Sequence, residues 1–173
     1  MLATVGYEGV TFEGVAESVG CSRATLYRRF TSRFELVADT INATLDATEP
    51  TTPLDNRSAR ENLLWHARTS AEFMREGHGR ALMSLSEAGN RNPELSALMA
   101  RREQRAKDFY YAEFRRVRGG LTQEKLAFAF DTLIGSILYH ETSRNRRLST
   151  RQLEALVDCT IAILRDETTS LGA

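Results

Sequence analysis

The chain has 173 residues, of which 42% are hydrophobic, and its formal net charge at pH 7 is zero. This length suits one large domain or two small ones, and a neutral balance argues against a protein that binds nucleic acid over its whole surface. The two cysteines, Cys21 and Cys159, lie far apart, which excludes a disulfide framework and favours a reduced, cytoplasmic setting. The sequence has neither a membrane-length apolar run nor a signal peptide, so we expect no membrane partner.

The N-terminal third predicts three short helices before a longer one. Residues 1–5 are enough for only the last turn of a first helix, so the sequence is either truncated there or has a genuinely short start. Thr11 is suited to cap a second helix that ends near residue 19, and Gly20-Cys21-Ser22 then interrupts it. Ser22 would cap a third helix over 23–29. The motif core should contain Ala16, Val19, Leu26 and Phe30.

This arrangement predicts a helix-turn-helix motif, in which the helix at 23–29 enters the major groove of DNA. Four arginines (Arg23, Arg28, Arg29 and Arg33) and no acidic residue lie within residues 22–33. Arginine can pair with guanine in two places, and alanine or a threonine methyl group can contact the methyl group of thymine. The best candidates for contacts with base edges are therefore Arg23, Ala24, Thr25 and Arg28.

The same stretch resembles the TetR family of one-component transcriptional repressors. The resemblance is carried by Gly6-Tyr7, Thr11, Val19-Gly20-Cys21-Ser22 and the run Thr25-Leu26-Tyr27-Arg28-Arg29-Phe30-Thr31-Ser32-Arg33, within roughly the first 45 residues. It implies phosphate contacts by five side chains: Thr11, Ser22, Thr25, Tyr27 and Arg33. It also implies that the protein is a homodimer that binds a palindromic DNA operator and responds to a small-molecule effector.

The remaining residues predict helices and no strands. Ser32 and Glu35 form a capping-box pattern that starts a helix through about residue 46, and a proline-containing loop follows at 48–53. Further helices are predicted at about 56 or 59–76, 80–88, 93–118, 123–144 and 150–166. The fold class is all-α, with a helix-turn-helix domain at 1–46 and a helical effector-binding and dimerisation domain at 47–173.

Two groups of side chains in this second domain are candidates for function. Most of the aromatic and methionine residues are expected in the core. Those that are candidates to line a pocket for an apolar or aromatic effector are Trp65, Phe73, Met83, Phe109, Tyr110, Phe114 and Tyr139. The last two helices either complete a monomeric core or, as the resemblance implies, pair with a second subunit. The apolar residues assigned to that dimer interface are Leu126, Phe130, Leu133, Ile137, Leu153, Leu156, Val157, Ile161 and Leu164.

The sequence therefore favours a homodimeric, ligand-responsive repressor whose partners are operator DNA, a second copy of the chain and an unknown effector. No cofactor or metal is predicted, because the three histidines lack metal-ligand spacing. An enzyme is the alternative from another class, although no catalytic motif is present. A helical dimer that has lost DNA binding is a third reading, which the short first helix suggests.

Overall fold

The computed structural model describes residues 1–46, 56–144 and 146–166. Within these ranges the chain is all-α, as the sequence predicted. The α-helices are α1 (Leu2–Val5), α2 (Phe12–Val19), α3 (Arg23–Arg29), α4 (Arg33–Asp46), α5 (Ala59–Phe73), α6 (Gly79–Gly89), α7 (Pro93–Val117), α8 (Gln123–Leu138) and α9 (Thr150–Arg165). Two π-helical turns, π1 (Met74–His78) and π2 (Tyr139–Ser143), follow α5 and α8. The loop predicted at 48–53 lies outside the described residues.

Local side-chain caps explain where several helices begin. The Ser58 hydroxyl accepts a hydrogen bond from the Glu61 backbone N–H, and the Glu61 carboxylate accepts one from the Ser58 N–H. Ser149 and Gln152 form the same reciprocal pair at the start of α9. These contacts satisfy backbone donors that the first helical turn leaves without partners. The sequence-predicted capping boxes at both helices are confirmed.

Two helices end earlier than their periodicity predicted. We expected α5 to continue to about residue 76 and α8 to about 144, but each changes to π-helical turns before that point. Gly77 lies within π1 at φ 93, a conformation that helical residues do not adopt. Sequence spacing alone does not reveal such a change, because it does not distinguish a π-helical turn from an α-helical one.

The chain divides into two compact units. Among the described residues, 1–46 and 80–102 form the first unit, and 56–79, 103–144 and 146–166 form the second. The first unit therefore contains α6 residues and the start of α7, which the sequence-based boundary at 46 placed with the effector domain. Among the described residues, the chain passes from one unit to the other after Gly79, at the start of α6, and after Arg102, within α7.

The core of the first unit joins the N-terminal helices to α6. Tyr7 is buried, and its backbone N–H donates to the Ser84 hydroxyl at 3.0 Å. Gly6 adopts φ 68 beside this contact, and a Cβ atom there would lie 2.9 Å from Ser84 Oγ. Glycine is thus suited both to the positive φ and to the close approach. The other buried hydrophobic residues of this unit are Val10, Phe12, Ala16, Leu26, Phe30, Leu36, Val37, Ile41, Leu85, Leu95 and Leu98.

The second unit packs α5, α8 and α9 against one another, with α7 residues in the same core. Phe114, Leu63, Leu133 and Val157 are fully buried there. Buried polar groups have partners: the Glu113 carboxylate accepts hydrogen bonds from Asn62 and Arg116. No helix in the part of the chain that the structure describes is long and apolar enough to cross a membrane.

An ion pair joins the two π-helical turns. Arg75 in π1 donates through Nε and Nη2 to the two carboxylate oxygens of Glu141 in π2, both at 3.1 Å. Glu141 also accepts the Leu148 backbone N–H at 2.9 Å. Burial opposes ionisation of this carboxyl group, but the Arg75 and Leu148 hydrogen bonds hold its pKa below the ordinary value.

Candidate nucleic-acid interface

The helix-turn-helix motif is formed by α2, a tight turn and α3, and both helices have side-chain caps. The Thr11 hydroxyl accepts from the Gly14 N–H at 3.1 Å, and the Ser22 hydroxyl accepts from the Thr25 N–H at 3.2 Å. Gly20 between the helices has φ 68 and ψ 32, the left-handed conformation that suits glycine. The same two hydroxyls that the family resemblance assigns to phosphate contacts therefore also define the helix starts.

The inner side of the motif is buried as expected, with one exception. Ala16, Leu26 and Phe30 are each at most 9% exposed, whereas Val19 is 64% exposed. The prediction that Val19 belongs to the motif core is therefore wrong. Val19 is the last residue of α2, and the chain reverses direction at Gly20, so its side chain lies beyond the contact between α2 and α3.

The outer face of α3 presents the predicted recognition residues to solvent. Arg23, Ala24, Thr25, Tyr27 and Arg28 are all exposed. None of these side chains is needed to fill the core, so they can meet a ligand without unfolding the motif. This arrangement brings together the residues that the sequence assigned to base-edge and phosphate contacts on α3.

Tyr27 is held in place by an aromatic contact. Its ring stacks on Phe12 with centroids 4.3 Å apart and planes 7° from parallel, while 55% of the residue remains exposed. Phe12 is buried in the first turn of α2, so it provides a fixed platform for Tyr27. A tyrosine that is immobilised in this way loses little side-chain freedom when its hydroxyl binds a phosphate.

The arginines differ in their surroundings. Arg28 Nη2 lies 3.4 Å from the Thr25 hydroxyl, and Arg23 Nη1 lies 3.1 Å from a Glu13 carboxylate oxygen. Arg29 pairs with Asp39 at 3.2 Å.

Arg33, which was assigned to a phosphate, is bound within the unit. It donates to the Glu8 backbone oxygen at 2.8 Å and to the Glu8 carboxylate at 2.7 Å, and its guanidinium lies 4.6 Å from the centroid of the Tyr7 ring.

Sequence reasoning missed these acidic partners. It noted only that no acidic residue lies among residues 22–33, whereas Glu8, Glu13 and Asp39 come from outside that window. Glu13 precedes Arg23 by ten residues, and Asp39 follows Arg29 by ten. Glu8 lies in the turn before α2, and Glu13 and Asp39 lie on helices other than those of their partners, so no spacing rule within one helix would have found these pairs.

The candidate effector residues form no single group. Phe109, Tyr110 and Phe114 lie along α7 in the second unit, where Phe109 and Tyr110 contact the His66 ring. Trp65 and Tyr139 are 38% and 53% exposed. Phe73 stacks on His78 at 4.4 Å. Met83 belongs to the first unit and is 44% exposed.

His66, one of the three histidines that lack metal-ligand spacing, lies at the centre of the aromatic contacts. Its ring centroid is 3.4 Å from that of Phe109, 4.8 Å from that of Trp65 and 5.8 Å from that of Tyr110. Burial lowers the pKa of His66 to about 4, so the ring is neutral at pH 7.

The residues assigned to a dimer interface are buried within a single chain, which corrects that assignment. Leu156 is partly buried, and the other eight are at most 8% exposed: Leu126, Phe130, Leu133, Ile137, Leu153, Val157, Ile161 and Leu164. They pack in the core of the second unit because the apolar stripes of α8 and α9 face each other and α5. Any contact with a second subunit through these helices must use their opposite faces.

Comparisons with known proteins agree with this motif and fold. Residues 1–40 match the family model described as bacterial regulatory proteins of the tetR family. The fold is similar to the crystal structure of the TetR family transcription regulator SCO0332, with a TM-score of 0.64 and 24% sequence identity over 93% of this chain and 90% of that chain. Among curated proteins, none matches the sequence. The family match is confined to the helix-turn-helix residues, and the structural similarity shows that the two proteins share an all-helical fold.

Proposed function

We propose that this protein is a DNA-binding transcription regulator of the TetR family, and that it acts as a homodimeric repressor that binds a palindromic operator and releases it when a small molecule binds the second unit. The observation that carries the DNA-binding part is the solvent-exposed face of α3, with Arg23, Thr25, Tyr27 and Arg28 on a helix that is capped by Ser22. A single helix of this length reads few base pairs. Two copies, about one duplex turn apart or more, would read a palindrome.

The outward faces of α8 and α9 support the homodimer. Phe128 on α8 is 45% exposed, and Tyr139, the residue of π2 that directly follows α8, is 53% exposed, although both are large and aromatic. Small residues are exposed on the same two helices, namely Gly135, Ala155, Cys159 and Ala162. Small side chains allow two helices to approach closely, and the exposed aromatic rings would be covered by the same surface of a second copy.

The dimer is tested by introducing a charge on this face. Ala155→Glu should convert a dimer into a monomer in sedimentation equilibrium, because two carboxylates would lose water beside the two-fold axis. Ala112→Glu makes the same change at an exposed alanine of α7 in the same unit and should leave the dimer intact. Equal behaviour of the two variants, or a wild-type monomer, would contradict the proposed interface.

Loss of the dimer should also weaken operator binding. With two linked recognition helices, the second binding event is intramolecular, so a monomer is expected to bind about 100-fold more weakly or worse. Fluorescence anisotropy with a duplex that contains both half-sites measures this loss. An Ala155→Glu monomer that retains wild-type affinity would show that one subunit suffices.

The effector part of the proposal rests on the aromatic group in the second unit. His66 is neutral and buried between α5 and α7 beside Phe109 and Tyr110, so this region favours an apolar or aromatic molecule over an ion. Such a molecule acts only if it binds the DNA-free conformation more tightly than the DNA-bound one.

A panel of small aromatic compounds tests effector control. Compounds that raise the thermal unfolding temperature of the protein should lower its affinity for operator DNA, since the two binding events are reciprocally coupled. In cells, an operator placed within a promoter should give low reporter expression with the protein and higher expression when an active compound is added. Binders that leave operator affinity unchanged, or a reporter that the protein activates, would contradict ligand-released repression.

A further inference from the structure

Three of the four arginines in or beside the recognition helix have a carboxylate partner from another part of the first unit. Glu13 of α2 pairs with Arg23 at 3.1 Å, and Asp39 of α4 pairs with Arg29 at 3.2 Å. Glu8, in the turn before α2, pairs with Arg33 at 2.7 Å.

Arg28 is different from the other three. Its Nη2 lies 3.4 Å from the Thr25 hydroxyl, and within the described residues no carboxylate forms an ion pair with it. Arg28 is also exposed on α3, as are its sequence neighbours Tyr27 and Arg29. The positive charge that this face can offer to DNA is therefore concentrated at Arg28.

The pairs are exposed enough for DNA to compete with them. The side chains of Arg23 and Glu13 are 66% and 50% exposed, and those of Arg29 and Asp39 are 70% and 53% exposed. Ion pairs in such settings are weak, so a DNA phosphate can displace the carboxylate. The free energy gained by this exchange is smaller than that gained when a phosphate binds an arginine without a carboxylate partner. Arg33 is bound more tightly within the first unit, because the Glu8 backbone oxygen and the Tyr7 ring also contact it.

We propose that Glu13, Asp39 and Glu8 are internal counter-charges that weaken sequence-independent binding to DNA. Discrimination between DNA sequences then depends on Arg28 and the neighbouring side chains of α3. This inference rests on the proposed DNA-binding function and assigns an affinity-limiting role to three acidic residues. Binding to non-operator DNA is almost entirely electrostatic, and a genome offers many such competing sites. Lower affinity for those sites leaves more of the protein available for its operator.

The experiment uses the full chain and a random-sequence 20-base-pair duplex, with affinity measured by fluorescence anisotropy from 50 to 200 mM salt. Glu13→Gln should bind this duplex about 1.5- to 5-fold more tightly at 150 mM salt, the range set by the strength of an exposed ion pair. Its plot of log affinity against log salt should be steeper by up to about 0.9, since one more phosphate contact releases further counterions.

Two controls separate local pairing from a general change of charge. Glu17→Gln removes an equal charge one turn further along α2, where the described residues include no ion-pair partner, and screening at 150 mM salt should make its effect smaller. In an Arg23→Gln background, Glu13→Gln should change the affinity little, because Arg23 is the group that it restrains. Circular dichroism confirms folding, and Asp39→Asn provides an independent variant with the same expected direction.

Several results would overturn the inference. A purely structural role for the Glu13–Arg23 pair predicts weaker DNA binding in Glu13→Gln, the opposite sign. Equal gains from Glu13→Gln and Glu17→Gln, or a gain that persists without Arg23, would reduce the effect to net charge. If the wild-type chain and every variant bind no duplex, the DNA-binding function itself fails and the counter-charge role fails with it.

Discussion

The buried histidine of the second unit makes the stability of the protein depend on pH in a predictable direction. Burial lowers the pKa of His66 to about 4, whereas an unfolded histidine titrates near 6.5. Between these values the unfolded state takes up a proton and the folded state does not. The free energy of unfolding is therefore at its full value above pH 6.5 and falls as the pH is lowered towards 4.

The two pKa values set the size of the effect. Between pH 7.5 and 5.0, the difference in proton uptake lowers the free energy of unfolding by about 2 kcal/mol, and this loss should be absent from His66→Phe. Phenylalanine keeps an aromatic ring among Trp65, Phe109 and Tyr110. Burial raises the pKa of Tyr110 to about 12, so Tyr110 remains neutral throughout this range.

The assay is urea unfolding followed by tryptophan fluorescence. Trp65 is the only tryptophan in the sequence and directly precedes His66, so the signal comes from the second unit. Wild type and His66→Phe are compared at pH 7.5, 6.5, 5.5 and 5.0 at one protein concentration, because a dimer makes the midpoint depend on concentration. Carboxyl groups with lowered pKa values, such as Glu141, also contribute less to the free energy of unfolding as the pH falls. Both proteins contain these groups, so the difference between their pH profiles reports on His66. Parallel pH profiles for the two proteins would refute this account of His66.

Four further substitutions test other parts of the account. Glu141→Gln should lower the free energy of unfolding by about 3 kcal/mol in urea, because it breaks a largely buried ion pair, and a change below 1 kcal/mol would contradict this role. Phe114→Ala should cost about 3–5 kcal/mol in the same assay through the cavity that it leaves, and a near-neutral effect would show that the core collapses to fill the space. Gly20→Ala should cost only about 1–2 kcal/mol in thermal unfolding, since its φ is positive but no atom lies within 4 Å of a Cβ there; a larger loss would reveal another constraint. Tyr27→Phe should weaken anisotropy-measured binding to all duplexes alike, as expected for a phosphate contact, whereas a loss on one base-pair variant would assign the hydroxyl to a base.

The features that could be predicted from the sequence are local ones. A serine or threonine directly before a helical stretch marks a helix start, and a glutamate or glutamine three positions later strengthens the signal. Thr11, Ser22, Ser58 and Ser149 all cap helices as expected. The exposed face of α3 also follows from a few neighbouring residues, because Leu26 and Phe30 fix which side is buried.

The features that could not be predicted depend on contacts between distant residues. Arg75 and Glu141 are 66 positions apart, and only the folded second unit brings their turns together. The misassigned dimer residues illustrate the same limit. Periodicity correctly identified the apolar stripe of α8 and α9, but an apolar stripe does not specify whether its partner belongs to the same chain or to another. The exposed small residues on the opposite faces give a much weaker signal in sequence.

Selection of binding sites from a pool of random duplexes tests the central claim most directly. We predict that wild-type protein enriches an inverted repeat with two half-sites about one duplex turn apart or more, and that Arg28→Ala loses the preference at one base-pair position in each half-site. An unchanged enriched sequence with Arg28→Ala would remove Arg28 from base recognition. Failure of the wild-type chain to enrich any sequence would contradict its proposed role as a sequence-specific regulator.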